Sequence, residues 1–140
     1  MYGADDHEWG EQAGVRIIFI EDVIEMGFDK VVKEARRVVG DGPTYLSFDV
    51  DGIDPTFTPG TGTPEIGGYT PGEAQRMLRG LKGLDFVGAD VVEVSPPFDP
   101  SGGTALVAAN LMFEILCLLA DGVQKKRKGG AKAGAGKRKG

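Results

Sequence analysis

Residues 51–68, which hold three prolines and five glycines, separate an alternating run, TYLSFDV at 44–50, from an amphipathic segment that opens at Thr70. Proline removes backbone donors and glycine removes conformational restraint, so neither a helix nor a strand can run through this stretch. The chain must fold around one long loop that leaves a strand and enters a helix. Loops of that length inside compact domains usually carry function.

The flanking periodicities supply the rest of the layout. VRIIFI, residues 15–20, is apolar and rich in β-branched side chains, which predicts a buried strand. Phe28, Val31, Val32, Ala35 and Val39 then recur at helical spacing with Lys30, Lys33, Glu34, Arg36 and Arg37 opposite, and Gly40, Gly42 and Pro43 end that helix. Residues 44–50 form the second predicted strand. Thr70, Pro71 and Glu73 make a capping box with proline at the first helical position, followed by Ala74, Met77, Leu78 and Leu81 on one face. FVGADVVEV, residues 86–94, is a third strand halted by Pro96 and Pro97, and residues 104–120 are a helix apolar almost all round. Strands alternating with helices predict an α/β protein with a parallel sheet. Three strands would leave an edge strand and a very apolar helix poorly covered, so the pattern reads as part of a larger sheet.

At 140 residues, 41% hydrophobic and 26% charged, the chain is expected to form one globular unit over residues 1–121 followed by a tail, 122–140. The apolar run 104–120 is interrupted by Asn110 and Glu114, which argues against a membrane span. Cys117 is the only cysteine, so an intrachain disulfide is excluded, and the residue reads as a buried thiol of a reducing compartment, cytoplasm or mitochondrion. MYGADDHEWG has neither the basic start nor the apolar core of a signal peptide. Charge is divided sharply: residues 125–140 hold eight Lys or Arg and no acid, which leaves the first 124 residues at a net charge of −13. That Gly/Ala-spaced tail cannot bury enough apolar surface to order itself and is expected to be disordered. Its first reading is a solvated tail, and its second a tether for nucleic acid or an acidic partner.

Asp49 and Asp51 lie two apart at the end of a predicted strand, so their side chains should share a face, and Asp54 follows in the turn. Clustered carboxylates repel unless a cation joins them, which points to Mg, Mn or Ca, while a loop capped by Asp54 is the purely structural reading. His7, the single histidine, limits any metal site of this chain to mostly oxygen donors and is read as a loop residue rather than a ligand. An EF-hand loop starting at Asp49 fails, because its sixth and twelfth positions are Asp54 and Gly60. YLSFDVDGI also looks like the nucleophile motif of haloacid-dehalogenase-type phosphatases, although Ile53 departs from that pattern and no convincing downstream Lys and paired-acid motif follows.

A more specific match covers the loop itself. SFDVDGIDPTFTPGTGTPEIGG, residues 47–68, resembles the third signature of the ureohydrolase family (arginase, agmatinase, guanidinobutyrase). GADVVEVSPPFD and TALVAANLMFEILCLLA are similar to the end of agmatinase and guanidinobutyrase-like members, and YGADDHEWGEQAGVRII looks like one of their strand-flanking loops. The resemblance spans about residues 2–121. It implies the carboxyl-terminal part of a three-layer α/β/α arginase-like fold with a parallel sheet. The implied activity is hydrolysis of a guanidino compound, agmatine or guanidinobutyrate-like, to urea and an amine.

Asp49 and Asp51 match two ligands of the family's binuclear manganese centre, and Glu93 matches the carboxylate that grips the substrate guanidinium. Thr63, in PGTGTP, would shape the pocket wall. A planar guanidinium suits a carboxylate that accepts two parallel N–H bonds. The family's other two signatures, a GGDHS-like and a DAHxD-like run, do not occur in this sequence, so four of six metal ligands are not supplied by it. The resemblance also implies a homo-oligomer. The alternative function is a non-catalytic remnant or docking subunit of a ureohydrolase.

Overall fold

Strand β1, Pro43–Asp49, and strand β2, Asp85–Val92, pair in parallel, and everything else in the computed structural model is arranged around that pair. The structure describes residues 8–10 and 12–136, with side chains through Lys125; His7 lies outside the described residues. Helices α1, Ile20–Met26, and α2, Phe28–Val39, precede β1, and α3, Pro71–Gly80, connects β1 to β2 after the long loop. Helix α4, Gly103–Gly136, follows β2. Parallel strands cannot be joined by a tight turn, so the loop and α3 together form the crossover.

Local chemistry accounts for these boundaries. The Thr70 hydroxyl accepts the Glu73 N–H and the Glu73 carboxylate accepts the Thr70 N–H, the reciprocal bonds of a capping box, with Pro71 at the first helical position. Asp99 performs the same service for α4, accepting the N–H groups of Thr104 (3.1 Å) and Ala105 (2.9 Å). Within β1, Leu46 and Phe48 face the core while Tyr45, Ser47 and Asp49 are exposed. The register shifts between Thr44 and Tyr45, whose partners are Phe86 and Gly88. Val87 is the extra residue, and inserting it lets Phe86 on one side and Ala89 and Val91 on the other all pack on the core.

The predicted strand at 15–20 does not form. Residues 15–19 have no regular structure and lead directly into α1 at Ile20. A strand exists only by pairing, and among the described residues the sheet is two-stranded, so β-branched composition alone does not make one there.

Residues 104, 108, 111, 115 and 118 of α4 are buried, a spacing of three and four that seats one stripe of the helix on β2 and α3. The polar residues that interrupt its apolar run pair with α3: Glu114 with the Arg79 guanidinium and Asn110 with Gln75. The opposite stripe is open, with Leu106 72% and Phe113 64% exposed. Cys117 is exposed as well, contrary to the buried thiol expected, because apolarity all round cannot tell which side of a helix is covered.

By length and composition Gly103–Lys125 could cross a membrane, despite Asn110 and Glu114, but the buried stripe makes it a core helix of the sheet. Its backbone continues to Gly136, into the stretch expected to be a disordered tail; Ala, Lys and Arg are good helix formers.

Leu111 is 1% exposed at the centre of this packing. Leu111→Ala is expected to destabilise the chain by about 2–5 kcal/mol, read as a lower denaturant midpoint at unchanged slope.

Candidate active site at the carboxyl ends of the strands

Pairing Asp49 with Val92 brings the ends of both strands to one edge, so Glu93 emerges beside the turn that carries Asp51. In parallel sheets this edge is where ligands bind. Asp49 is the last residue of β1, and Asp51 lies in a 3₁₀ turn, Val50–Gly52. Strand alternation is therefore not what joins them. The Asp51 N–H donates to Asp49 Oδ1 at 3.0 Å, an Asx turn that folds the second carboxylate back toward the first.

The Asp49 carboxyl is held above the ordinary carboxylate range. Lost hydration at the strand end is the largest cause, and the Asp51 N–H opposes it in part. Repulsion and hydrogen bonding from the Asp51 carboxyl, then repulsion from Glu93, add to the rise. Two further acids thus act on Asp49 at a single sheet edge. Among the described residues no Lys or Arg forms an ion pair with Glu93. Its backbone φ is 67°, in the left-handed region that a non-glycine residue rarely adopts. Such conformations persist where the surrounding structure imposes them, and they cluster at functional sites.

The loop wraps over this edge and is clamped at several points. Asp54 accepts the N–H of Thr56 (2.9 Å) and of Gly67 (2.8 Å), tying the two ends of the loop together, and the Thr56 side chain first, then these two bonds, hold its carboxyl below the usual range. Asp54 is thus the structural cap, distinct from the Asp49 and Asp51 pair. The backbones of Asp54 and Gly52 bond to Tyr69 at 2.9 Å each, so closely that a Cβ on Gly68 would lie 2.7 Å from Asp54 N. The buried Thr58 hydroxyl shares its proton between the Val50 and Ile53 carbonyls, 3.2 Å from each. Further along, Gly60 N donates to Thr104 Oγ1 (2.9 Å) and Gly60 O accepts from Ser95 N (2.8 Å). A Cβ at Gly60 would sit 2.4 Å from that of Asp99, so only glycine fits.

Thr63 lies beyond this clamp, and its hydroxyl donates to Asp51 Oδ2 at 2.6 Å. The expected wall residue therefore reaches the metal-side carboxylate. A Cβ built on Gly62 would be 3.9 Å from Glu93 Oε2, so the same loop also borders the third acid. Sequence reasoning did not find the clamps at Ser95 and Thr104; the signal available was Asp99 shortly before a long apolar helix, which marks a helix start.

Asp49 and Asp51 offer hard oxygen donors under mutual repulsion, the condition a divalent cation relieves, so the pair fits such an ion. It fits as part of a coordination shell. Among the described residues no group of three or more His, Cys, Asp or Glu is arranged to hold a metal ion alone.

The chain is similar in sequence and in fold to known proteins. Residues 2–118 match the profile described as the Arginase family. The chain is 61% identical over 121 residues to a guanidinopropionase of Pseudomonas aeruginosa, covering 86% of this chain and 38% of that protein. It is 50% identical over 118 residues to a guanidinobutyrase of the same organism, covering 84% of this chain and 37% of that protein. Among solved structures, proclavaminate amidino hydrolase from Streptomyces clavuligerus superimposes with a TM-score of 0.79 at 37% identity, over 82% of this chain and 38% of that one. The chain thus spans little more than a third of the length of these relatives, and its fold is part of an arginase-like α/β fold. None of these relatives bears a phosphatase name.

Because the raised pKa of Asp49 belongs to the folded state, the sign of its linkage is defined. The folded chain holds this proton more tightly than the unfolded chain, so the contribution to stability is present at low pH and is lost as pH rises through the raised pKa. Asp49→Asn keeps the acceptor for Asp51 N–H and removes the charge. The metal-free variant is expected to melt higher than the parent at neutral pH, with the gap closing below the carboxylate range, as followed by thermal unfolding across pH.

Proposed function

Because the chain belongs to the arginase family, we propose that it carries two manganese-ligating carboxylates and the guanidinium clamp of an amidinohydrolase that cleaves a guanidino compound to urea and an amine. The observation that carries this reading is the convergence of Asp49, Asp51 and Glu93 at one end of a parallel strand pair. Asp49 and Asp51 would hold the cation, with the remaining donors coming from outside this chain's described residues. When bound, manganese supplies the Lewis acidity that makes water a competent nucleophile at neutral pH.

The chain's own residues handle the substrate. Glu93, with no basic partner among the described residues, accepts two parallel N–H bonds from the planar guanidinium and so fixes the orientation of its carbon. Its backbone, at a φ of 67°, sets where that exposed side chain leaves the sheet edge. Glycines at 60 and 62 let the loop backbone approach closely.

The relatives' names support a guanidino acid such as guanidinopropionate or guanidinobutyrate as substrate, with agmatine as the amine-bearing alternative. Homo-oligomeric assembly and a cytoplasmic or mitochondrial location belong to the same proposal. Intact Asp49, Asp51 and Glu93 argue against a remnant that has lost its chemistry.

The test is a graft of residues 2–121 in place of the matching stretch of the Pseudomonas aeruginosa guanidinopropionase. The graft is expected to release urea from guanidinopropionate, to stop when a chelator removes manganese, and to lose activity with Asp49→Asn. Glu93→Gln should lower kcat/KM by about 100-fold, the scale of a broken charge-assisted pair. A folded graft that releases no urea, or one indifferent to Asp49→Asn, overturns the proposal.

A further inference from the structure

Resting on the manganese reading above, we infer that Thr63 is a positioning residue that presents the Asp51 carboxylate to the cation. Each carboxylate of the pair is held by one oxygen. Asp49 Oδ1 takes the Asp51 N–H at 3.0 Å, and Asp51 Oδ2 takes the Thr63 hydroxyl at 2.6 Å, within the short range of charge-assisted O–H···O bonds. Bound in this way, neither carboxylate rotates freely. Asp51 Oδ1 and Asp49 Oδ2 are left as the oxygens to present, and their arrangement is set before any ion arrives.

Thr63 can do this only because the loop holds it there. It lies twelve residues beyond Asp51, on the far side of the Gly60 clamp. Both backbone groups of Gly60 are engaged, one with Thr104 and one with Ser95, and both partners follow β2 rather than β1. The loop therefore spans from the segment after β2 back to the carboxylate after β1. Gly62, one residue before Thr63, borders Glu93. A single stretch, residues 60–63, thus bonds to the Asp51 carboxylate and passes beside Glu93.

The side chain has no packing duty that would explain it otherwise. Thr63 is exposed and belongs to no apolar cluster, so its hydroxyl, not its methyl, is what the fold uses. β-branching also restricts χ1, which keeps the hydroxyl aimed. Groups that orient metal ligands through hydrogen bonds typically change metal affinity 10- to 100-fold when removed, although they touch no metal themselves.

The experiment titrates the metal-free graft described above, in which the remaining donors are supplied, with Mn²⁺, following the loss of the free-ion electron paramagnetic resonance signal, for the parent graft and for Thr63→Val, Thr63→Ser and Asp49→Asn. Thermal unfolding without metal serves as the control for folding. The expected result is that Asp49→Asn abolishes binding, Thr63→Val weakens it about 10-fold with an unchanged metal-free melting temperature, and Thr63→Ser stays close to the parent. If Asp49→Asn abolishes binding while Thr63→Val binds as the parent does, the manganese reading stands and the role of Thr63 is overturned. Should Thr63→Ser weaken binding as much as Thr63→Val, the hydroxyl is not the operative group and the inference also falls. A parent graft that binds no Mn²⁺, or binding indifferent to Asp49→Asn, removes the manganese reading and the inference with it.

Discussion

The parallel register of β1 with β2 is the constraint on which the rest of the molecule depends. It sets Asp49 opposite Val92, and so decides that Glu93 leaves its strand beside the turn bearing Asp51. Shifting one strand by a single residue would exchange every inward and outward side chain. The inward set, Leu46 and Phe48 with Phe86, Ala89 and Val91, is what resists that shift by packing on Leu111, Ile115 and Leu118 of α4. Core packing on one face therefore fixes the geometry of acids at the edge. The bulge at Val87 belongs to the same solution, since without it Phe86 and Val91 could not both reach the core.

Carboxylates in this chain fall into two groups by the direction in which their surroundings push them. Asp54, Asp99 and Glu114 accept hydrogen bonds from backbone N–H groups or from an arginine, and are held below the ordinary range. They staple the loop, start α4 and tie α4 to α3. Asp49 is pushed the other way by lost hydration and by acidic neighbours. Structural acids have found their donors, whereas the acid at the sheet edge has no ion-pair partner among the described residues, and perturbed groups of that kind are candidates for a functional site.

Rigidity at this edge comes from the loop more than from the strands. The stretch between Asp51 and Gly68 has little regular structure, yet it is bonded to Tyr69 at one end, to Thr104 and Ser95 in the middle, and to itself through Asp54. Glycines at 60 and 68 allow those approaches. Proline and glycine, which forbid a helix or strand there, are thus the same residues that let the loop fold tightly over the site.

Much of this was legible from residue order. The 3.6-residue spacing from Phe28 to Val39, the capping box at Thr70, the strand before Asp49 and the halt at Pro96 each depend on neighbours along the chain, and each stands close to where it was expected. The motif around Asp49 and the VVEVSPP run were enough to name a family. Residues 15–20 went astray because a strand is made by a partner that composition does not specify, and Cys117 because a helix apolar all round does not announce its covered side. What the amino-acid order determined by itself was local: which segments can be helix, strand or loop, and which residues bring carboxylate chemistry. Only the tertiary structure decided that Thr63 reaches Asp51, that Gly60 is gripped by Thr104 and Ser95, and that Glu93 is forced to a φ of 67°. Those are contacts between segments far apart in sequence, and their geometry follows from how the core packs rather than from any pattern along the chain.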